Sequence, residues 1–321
     1  MREAAFLKAN AKKWENYEQR MRAGEVDPDV IATMYVELTD DLAYARSYYP
    51  ESDTVAYLNQ LVAGMHQRVY KNRKESGNRF VTFWTIELPE TLAANLRFLA
   101  YAFAVFTISV MIGALSARYD DEYVRLILGD GYVNMTLDNI ERGDPMAVYK
   151  GSSQTEMFLV ITLNNIKVSF MTFVAGVLSS LGTGFILFQN GVMLGAFQYF
   201  FYEKDLLATS VLTIWIHGTL EISAIIIAGA AGMLMGNGLL FPGTYSRMVS
   251  FRKAARTSIK IIMGLVPVFI MAGFLEGFAT RHTEWPVFVK LLIIGFSALS
   301  VLLYFVVYPI YLKKKHAIPK N

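Results

Sequence analysis

The 321-residue chain is 54% hydrophobic, 14% aromatic and only 18% charged, with a mean hydropathy of +0.34. That balance excludes an ordinary soluble globular chain and predicts an integral membrane protein. A formal charge of +3 with no Lys/Arg stripe interleaved with aromatics excludes a nucleic-acid partner; the lack of cysteine excludes disulfides, thiolate nucleophiles and cysteine metal sites.

At the N-terminus Arg2, Glu3, Lys8, Lys12, Lys13 and Glu15 break up the apolar residues, so no signal-peptide core is present and targeting is expected to use an internal span. A first helix carries Phe6, Trp14, Tyr17 and Met21. Asp27-Pro28 reads as a helix start, an acceptor at the cap followed by the imino residue whose missing N–H costs nothing at the first helical position. Behind it Ile31, Met34, Tyr35, Leu38, Leu42 and Ala45 recur at helical spacing. Ser52 or Asp53 caps a third helix with Val55, Leu58, Val62, Met65 and Val69 on one face. Three such helices of roughly 20 residues bury their stripes as a small bundle. This gives a water-facing helical domain over 1–96, with a docking or regulatory role expected. Near its end Phe83, Trp84, Leu88 and Leu92 share one side of a helix, predicting an interfacial elbow with aromatics at headgroup level; an ordinary bundle helix is the alternative.

Residues 97–321 predict a transmembrane domain. Apolar runs at about 97–116, 157–178, 185–202, 207–236, 259–279 and 288–311 each meet or approach the ~20 residues that cross ~30 Å of hydrocarbon. The whole chain is therefore expected to be all-α, a polytopic membrane bundle behind a soluble helical domain. Six crossings put both ends on one side. Arg247, Arg252, Lys253 and Arg256 in one loop, and Lys313, Lys314 and Lys315 after the last run, assign that side to the cytoplasm, N-in and C-in. The outer loop, 117–156, holds Asp120, Asp121, Glu122, Asp130, Asp138, Glu141, Asp144 and Glu156. Tyr123, Leu126, Ile127 and Tyr132 recur in it at near-helical spacing, either as a docking surface or as an amphipathic cover for the bundle.

Inside the apolar runs lie His217, Glu221 and Glu276, and an ionisable residue in a span is a functional hypothesis by default. At 1.5 Å per residue His217 is roughly 10 to 15 Å below the outer surface, Glu221 roughly 16 to 21 Å and Glu276 roughly 5 to 8 Å. Asn164, Asn165 and Lys167 come in at roughly 10 to 15 Å and Asn190 at about 18 Å. His217 and Glu221 are one turn apart, and Ala224, Ala228 and Ala231 continue their face as small residues that admit a neighbouring helix. These seven polar residues are expected to meet as one cluster, with Lys167 the cation for Glu221 or Glu276. A structural network, a proton or ion relay and a metal site remain open for it, the metal being disfavoured by a donor set unusual for zinc. His217-Gly218-Thr219-Leu220-Glu221 is not the HExxH of a metalloprotease. No nucleophile elbow is present, and Gly182-Thr183-Gly184 lacks a phosphate-loop lysine, so neither enzymatic activity nor a cofactor is expected.

The same residues carry a family resemblance. His217-Gly218-Thr219-Leu220-Glu221-Ile222-Ser223-Ala224 with Ile227-Ala228-Gly229-Ala230-Ala231-Gly232 resembles the signature of the stage II sporulation protein M family. Asn164-Asn165, Gly176 and Asn190-Gly191-Val192-Met193-Leu194-Gly195 are similar to its second block, and Ala272-Gly273-Phe274-Leu275-Glu276-Gly277-Phe278 to its third. Trp14 and the Tyr57-Leu58-Asn59 segment extend the likeness into the N-terminal part. The resemblance implies a multipass membrane protein without recognised enzymatic activity, whose relatives in spore formers act with peptidoglycan-cleaving partners during engulfment. Expected partners are therefore membrane lipid, envelope or peptidoglycan-remodelling proteins and, through the long N-terminal domain, a cytoplasmic protein. Gly232 to Gly236 equally suits a homodimer contact. A scaffold is the preferred function, and a transporter or channel using the His/Glu cluster is the alternative.

Overall fold

The computed structural model describes residues 2–23, 28–69, 79–150 and 154–317, and every regular element among them is helical. Its contacts divide the chain into two compact units, Met1–Ser76 and Gly77–Asn321.

In the first unit α1 (Glu3–Ala23), α2 (Pro28–Tyr48) and α3 (Asp53–Val69) bury the expected stripes. Phe6, Trp14, Met34, Leu38, Leu42, Ala45, Leu58, Leu61 and Met65 form one core. Full burial of side chains such as Leu38 and Leu58 stabilises the bundle by about 1.5–3 kcal/mol each. Trp14 Nε1 donates to Asp41 Oδ2 at 2.7 Å, and Lys13 pairs with the same carboxylate, so the one polar edge of this ring is satisfied. Ser52 is the cap of α3: its Oγ accepts from the Thr54 N–H at 3.0 Å. Asp53 is the first helical residue instead. The hydroxyls of Ser52 and Thr54 both donate to Glu3, which ties the start of α1 to the start of α3. Asp27, the expected cap of α2, lies outside the described residues.

Among the described residues the second unit holds six helices long and apolar enough to cross a membrane: Arg79–Tyr119, Phe158–Leu178, Ser180–Glu203, Leu207–Leu240, Arg247–Thr280 and Val287–Lys315. They match the six expected runs, although the first begins well before residue 97 and the fifth before 259. The fourth helix is the centre of the bundle, with 67% of its most apolar window buried against 11% in the sixth. Small residues make that possible. A Cβ at Gly232 would strike Thr183 and the Thr172 carbonyl, and one at Gly195 would strike the Val110 carbonyl where the first and third helices cross.

The start of the first helix, where the elbow is expected, packs on the bundle. Leu88 and Leu92 are buried in the hydrophobic core of this unit, with Phe83 and Trp84 packed against it. Pro89 has no N–H to give to Thr85 O, four residues back, or to Trp84 O in the wide π-turn Phe83–Glu87. Two tyrosines one turn apart on the sixth helix supply the missing donors, Tyr308 Oη to Thr85 O at 2.9 Å and Tyr304 Oη to Trp84 O at 2.6 Å. Lys260 on the fifth helix pairs with Glu87 at 2.8 Å, so the start of the first helix is tied to the fifth and sixth toward what we call the basic face.

At the opposite end, the loop face, residues after the first span fold into two short helices. Asp120 caps Asp121–Leu128 by accepting from the Glu122 N–H, and Gly129, at φ 84°, turns the chain into Asp130–Glu141. Val124, Val133 and Met146 are buried against Ala196, Phe200, Phe201 and Ile214 of the third and fourth helices. Tyr123 and Ile127 pack on the same cluster, whereas Leu126 is 78% exposed. The segment is an ordered cap with a buried inner face and an exposed outer one.

Candidate functional site

The fourth helix presents His217 and Glu221 one turn apart toward the end of the fifth. There the backbone widens into a π-segment, Leu275–Thr280, a distortion that is frequent at functional sites. Glu276 and Thr280, themselves four apart, reach the two edges of one imidazole. His217 Nδ1 lies 2.9 Å from Thr280 Oγ1, and Nε2 lies 3.7 Å from Glu276 Oε2. Thr280 Oγ1 is also 3.2 Å from the Leu275 carbonyl, which can only accept. With the hydroxyl proton on the Leu275 side, the ring proton sits on Nδ1 and Nε2 keeps a lone pair facing the carboxylates; with it on the His217 side, the roles of the two ring nitrogens reverse. One donor atom from each of His217, Glu221 and Glu276 lies within 4.8 Å of the others.

Asn165 joins them from the second helix, buried with its side-chain amide beside the Glu221 carboxyl. Its two neighbours in the expected cluster do not. Asn164 and Lys167 are exposed on the bundle surface, and among the described residues neither Glu221 nor Glu276 pairs with a lysine or arginine. Helical phase explains this correction: at ~100° per residue Lys167 stands about 200° round the helix from Asn165, so the two cannot share a face. Asn190 donates to Ile186 O at 2.8 Å and lines the cavity next to the cluster.

That cavity, of about 330 Å³, lies between the cap and the first, third and fourth helices. His217, Glu221, Asn190, Tyr132, Tyr149 and Ile127 are among its walls. The Tyr149 ring is 5.8 Å from the His217 ring. Burial pushes the Tyr149 phenol well up, and negative charge at Glu276 acts the same way, so it stays a neutral donor. Two carboxyls and an imidazole at one buried site, with no lysine or arginine partner among the described residues, call for a positive partner, a proton or a cation.

Sequence reasoning passed over Thr280, Tyr149 and Lys290. Thr280 had a signal, its spacing of four from Glu276. Tyr149 had none, since only the folding back of the loop brings it to His217. Lys290, buried near the start of the sixth helix, satisfies itself by donating to Thr283 O at 2.7 Å.

Compared with known proteins, residues 102–281, more than half of the chain, match the model of the family described as stage II sporulation protein M. The match takes in His217, Glu221, Glu276 and the asparagines. Residues 4–71 match a model described as a domain of unknown function, which coincides with the three-helix unit. No curated protein and no solved structure matches the sequence.

Proposed function

We propose, from the premise that this chain belongs to the stage II sporulation protein M family, that it is a non-enzymatic multipass scaffold of the bacterial cytoplasmic membrane that positions envelope-remodelling proteins. The observation that carries this reading is the ordered cap. Its inner face is anchored on the bundle, and its outer face offers Leu126 and Tyr119, 78% and 80% exposed, beside Glu122, Arg125 and Asp130. Arg125 bonds both Asp130 and Asn134, at 3.0 and 2.8 Å, so this face is pre-organised rather than loose. Arg247, Arg252, Lys253 and Arg256 at the other end orient the cap outward by the charge rule. In this reading the three-helix unit, on the cytoplasmic side, recruits a second partner.

The test places a photo-crosslinking residue at Leu126 and follows capture of peptidoglycan-cleaving enzymes in native membranes. A Leu126→Glu variant of normal abundance should lose that recruitment. Unchanged recruitment would exclude the cap as the docking face.

The cavity beside His217 and Glu221 favours a second reading, a proton- or ion-handling protein. Reconstituted vesicles decide between the two: pH-dependent flux that vanishes in folded Glu221→Gln supports transport, and recruitment without flux removes it.

A further inference from the structure

We propose that His217, Glu221 and Glu276 form a binding site for one divalent first-row transition-metal ion of the Zn²⁺ or Mn²⁺ class, whether the chain recruits partners or moves ions. The geometry is the first argument. At 3.7 Å the His217 Nε2 to Glu276 Oε2 separation is too long for a hydrogen bond. It is the spacing of two donors each about 2.1 Å from a common ion at an angle of about 120°. With all three donor atoms inside 4.8 Å of one another, closure on an ion asks for a movement of about half an ångström.

Independent observations point the same way. The Thr280 hydroxyl partners Nδ1 and leaves Nε2 facing Glu276; a partner on the far ring nitrogen is how proteins orient a metal-binding imidazole. Asn165, only 3% exposed, brings its side-chain amide to the Glu221 carboxyl, placed to steady a ligating carboxylate from behind. Charge also balances. A dication offsets two carboxylates that have no lysine or arginine partner among the described residues. The imidazole selects a borderline transition ion over Mg²⁺ or Ca²⁺, which take all-oxygen shells. His217 and Glu221 also line the 330 Å³ cavity, which leaves a coordination position for water or a further ligand. An ion there clamps the fourth helix to the π-segment of the fifth.

The full chain, purified in detergent, stripped with chelator and dialysed against Zn²⁺ or Mn²⁺, is expected to bind one ion that excess Mg²⁺ does not displace. His217→Ala and Glu276→Gln, with melting curves confirming the fold, should abolish this binding, and Asn165→Ala should weaken it by roughly tenfold or more. Pulsed electron paramagnetic resonance of the Mn²⁺-loaded wild type should detect a directly coordinated nitrogen, a reading that needs no variant and decides the matter if the variants fail to fold. An empty wild type, unchanged affinity in folded His217→Ala and Glu276→Gln, displacement by Mg²⁺, or bound Mn²⁺ without nitrogen coupling would each overturn the site.

Discussion

Thr280→Val tests whether the hydroxyl of the π-segment sets the state of His217. The change keeps shape and volume at a fully buried position but removes the group 2.9 Å from Nδ1 and 3.2 Å from Leu275 O. His217 is itself only 4% exposed, so water cannot replace the lost partner. An unpaired buried polar group costs about 1–3 kcal/mol. For a unit of this size that is a drop in melting temperature of several degrees, at about 2–4 °C per kcal/mol. Thr280→Ser keeps the hydroxyl and loses one methyl, about 0.8 kcal/mol. The assay is thermal unfolding of the full chain in nanodiscs, repeated in a His217→Phe background that has no ring nitrogen to leave unpaired. There Thr280→Val should cost clearly less, a coupling that a double-mutant cycle isolates. Equal melting points for Thr280→Val and Thr280→Ser, or the same cost in both backgrounds, would refute the reasoning.

The Pro89 contacts predict that Tyr304→Phe and Tyr308→Phe each cost about 1 kcal/mol of stability for the lost hydrogen bond, a fall of about 2–4 °C in melting temperature. Pro89→Ala, which restores a backbone donor, should make the Tyr308 hydroxyl dispensable in the double variant. Gly195→Val should abolish accumulation of folded protein in membranes, because its side chain meets the Val110 backbone rather than a side chain that can turn away; normal abundance would show that the crossing of the first and third helices is looser than described. In the first unit, burial and the Glu37 hydrogen bond push the Tyr17 phenol up to about 12. Below pH 10 both folded and unfolded forms hold that proton and the contribution is whole; between 10 and 12 only the unfolded form ionises, so stability falls as pH rises. Tyr17→Phe should flatten that fall, read from Trp14 fluorescence in a chain whose other tryptophans are replaced. Because the sequence contains no cysteine, single cysteines at Leu126 and Lys253 give a clean topology test. An impermeant maleimide should label the first in intact cells and the second only after permeabilisation.

Local patterns carried the architecture. Hydropathy and helical period act within one segment, so the six spans, the three-helix unit and the burial of Trp14, Leu38 and Met65 were legible before any tertiary contact was known. The convergence of His217, Glu221 and Glu276 was legible too, since helix rise alone places them at neighbouring depths. Rotation about each helix axis was not, and it decided that Asn165 enters the cluster while Lys167, two residues on, turns away. Nor could spacing show which groups complete a site: Thr280 meets His217 across 63 residues and Tyr304 meets Trp84 across 220. A chain specifies its elements by short-range periodicity, but the partners of a buried polar group are chosen by how those elements pack. Only the folded bundle therefore places His217 and Glu221 in the wall of a mostly apolar cavity beneath a cap built from the acidic loop.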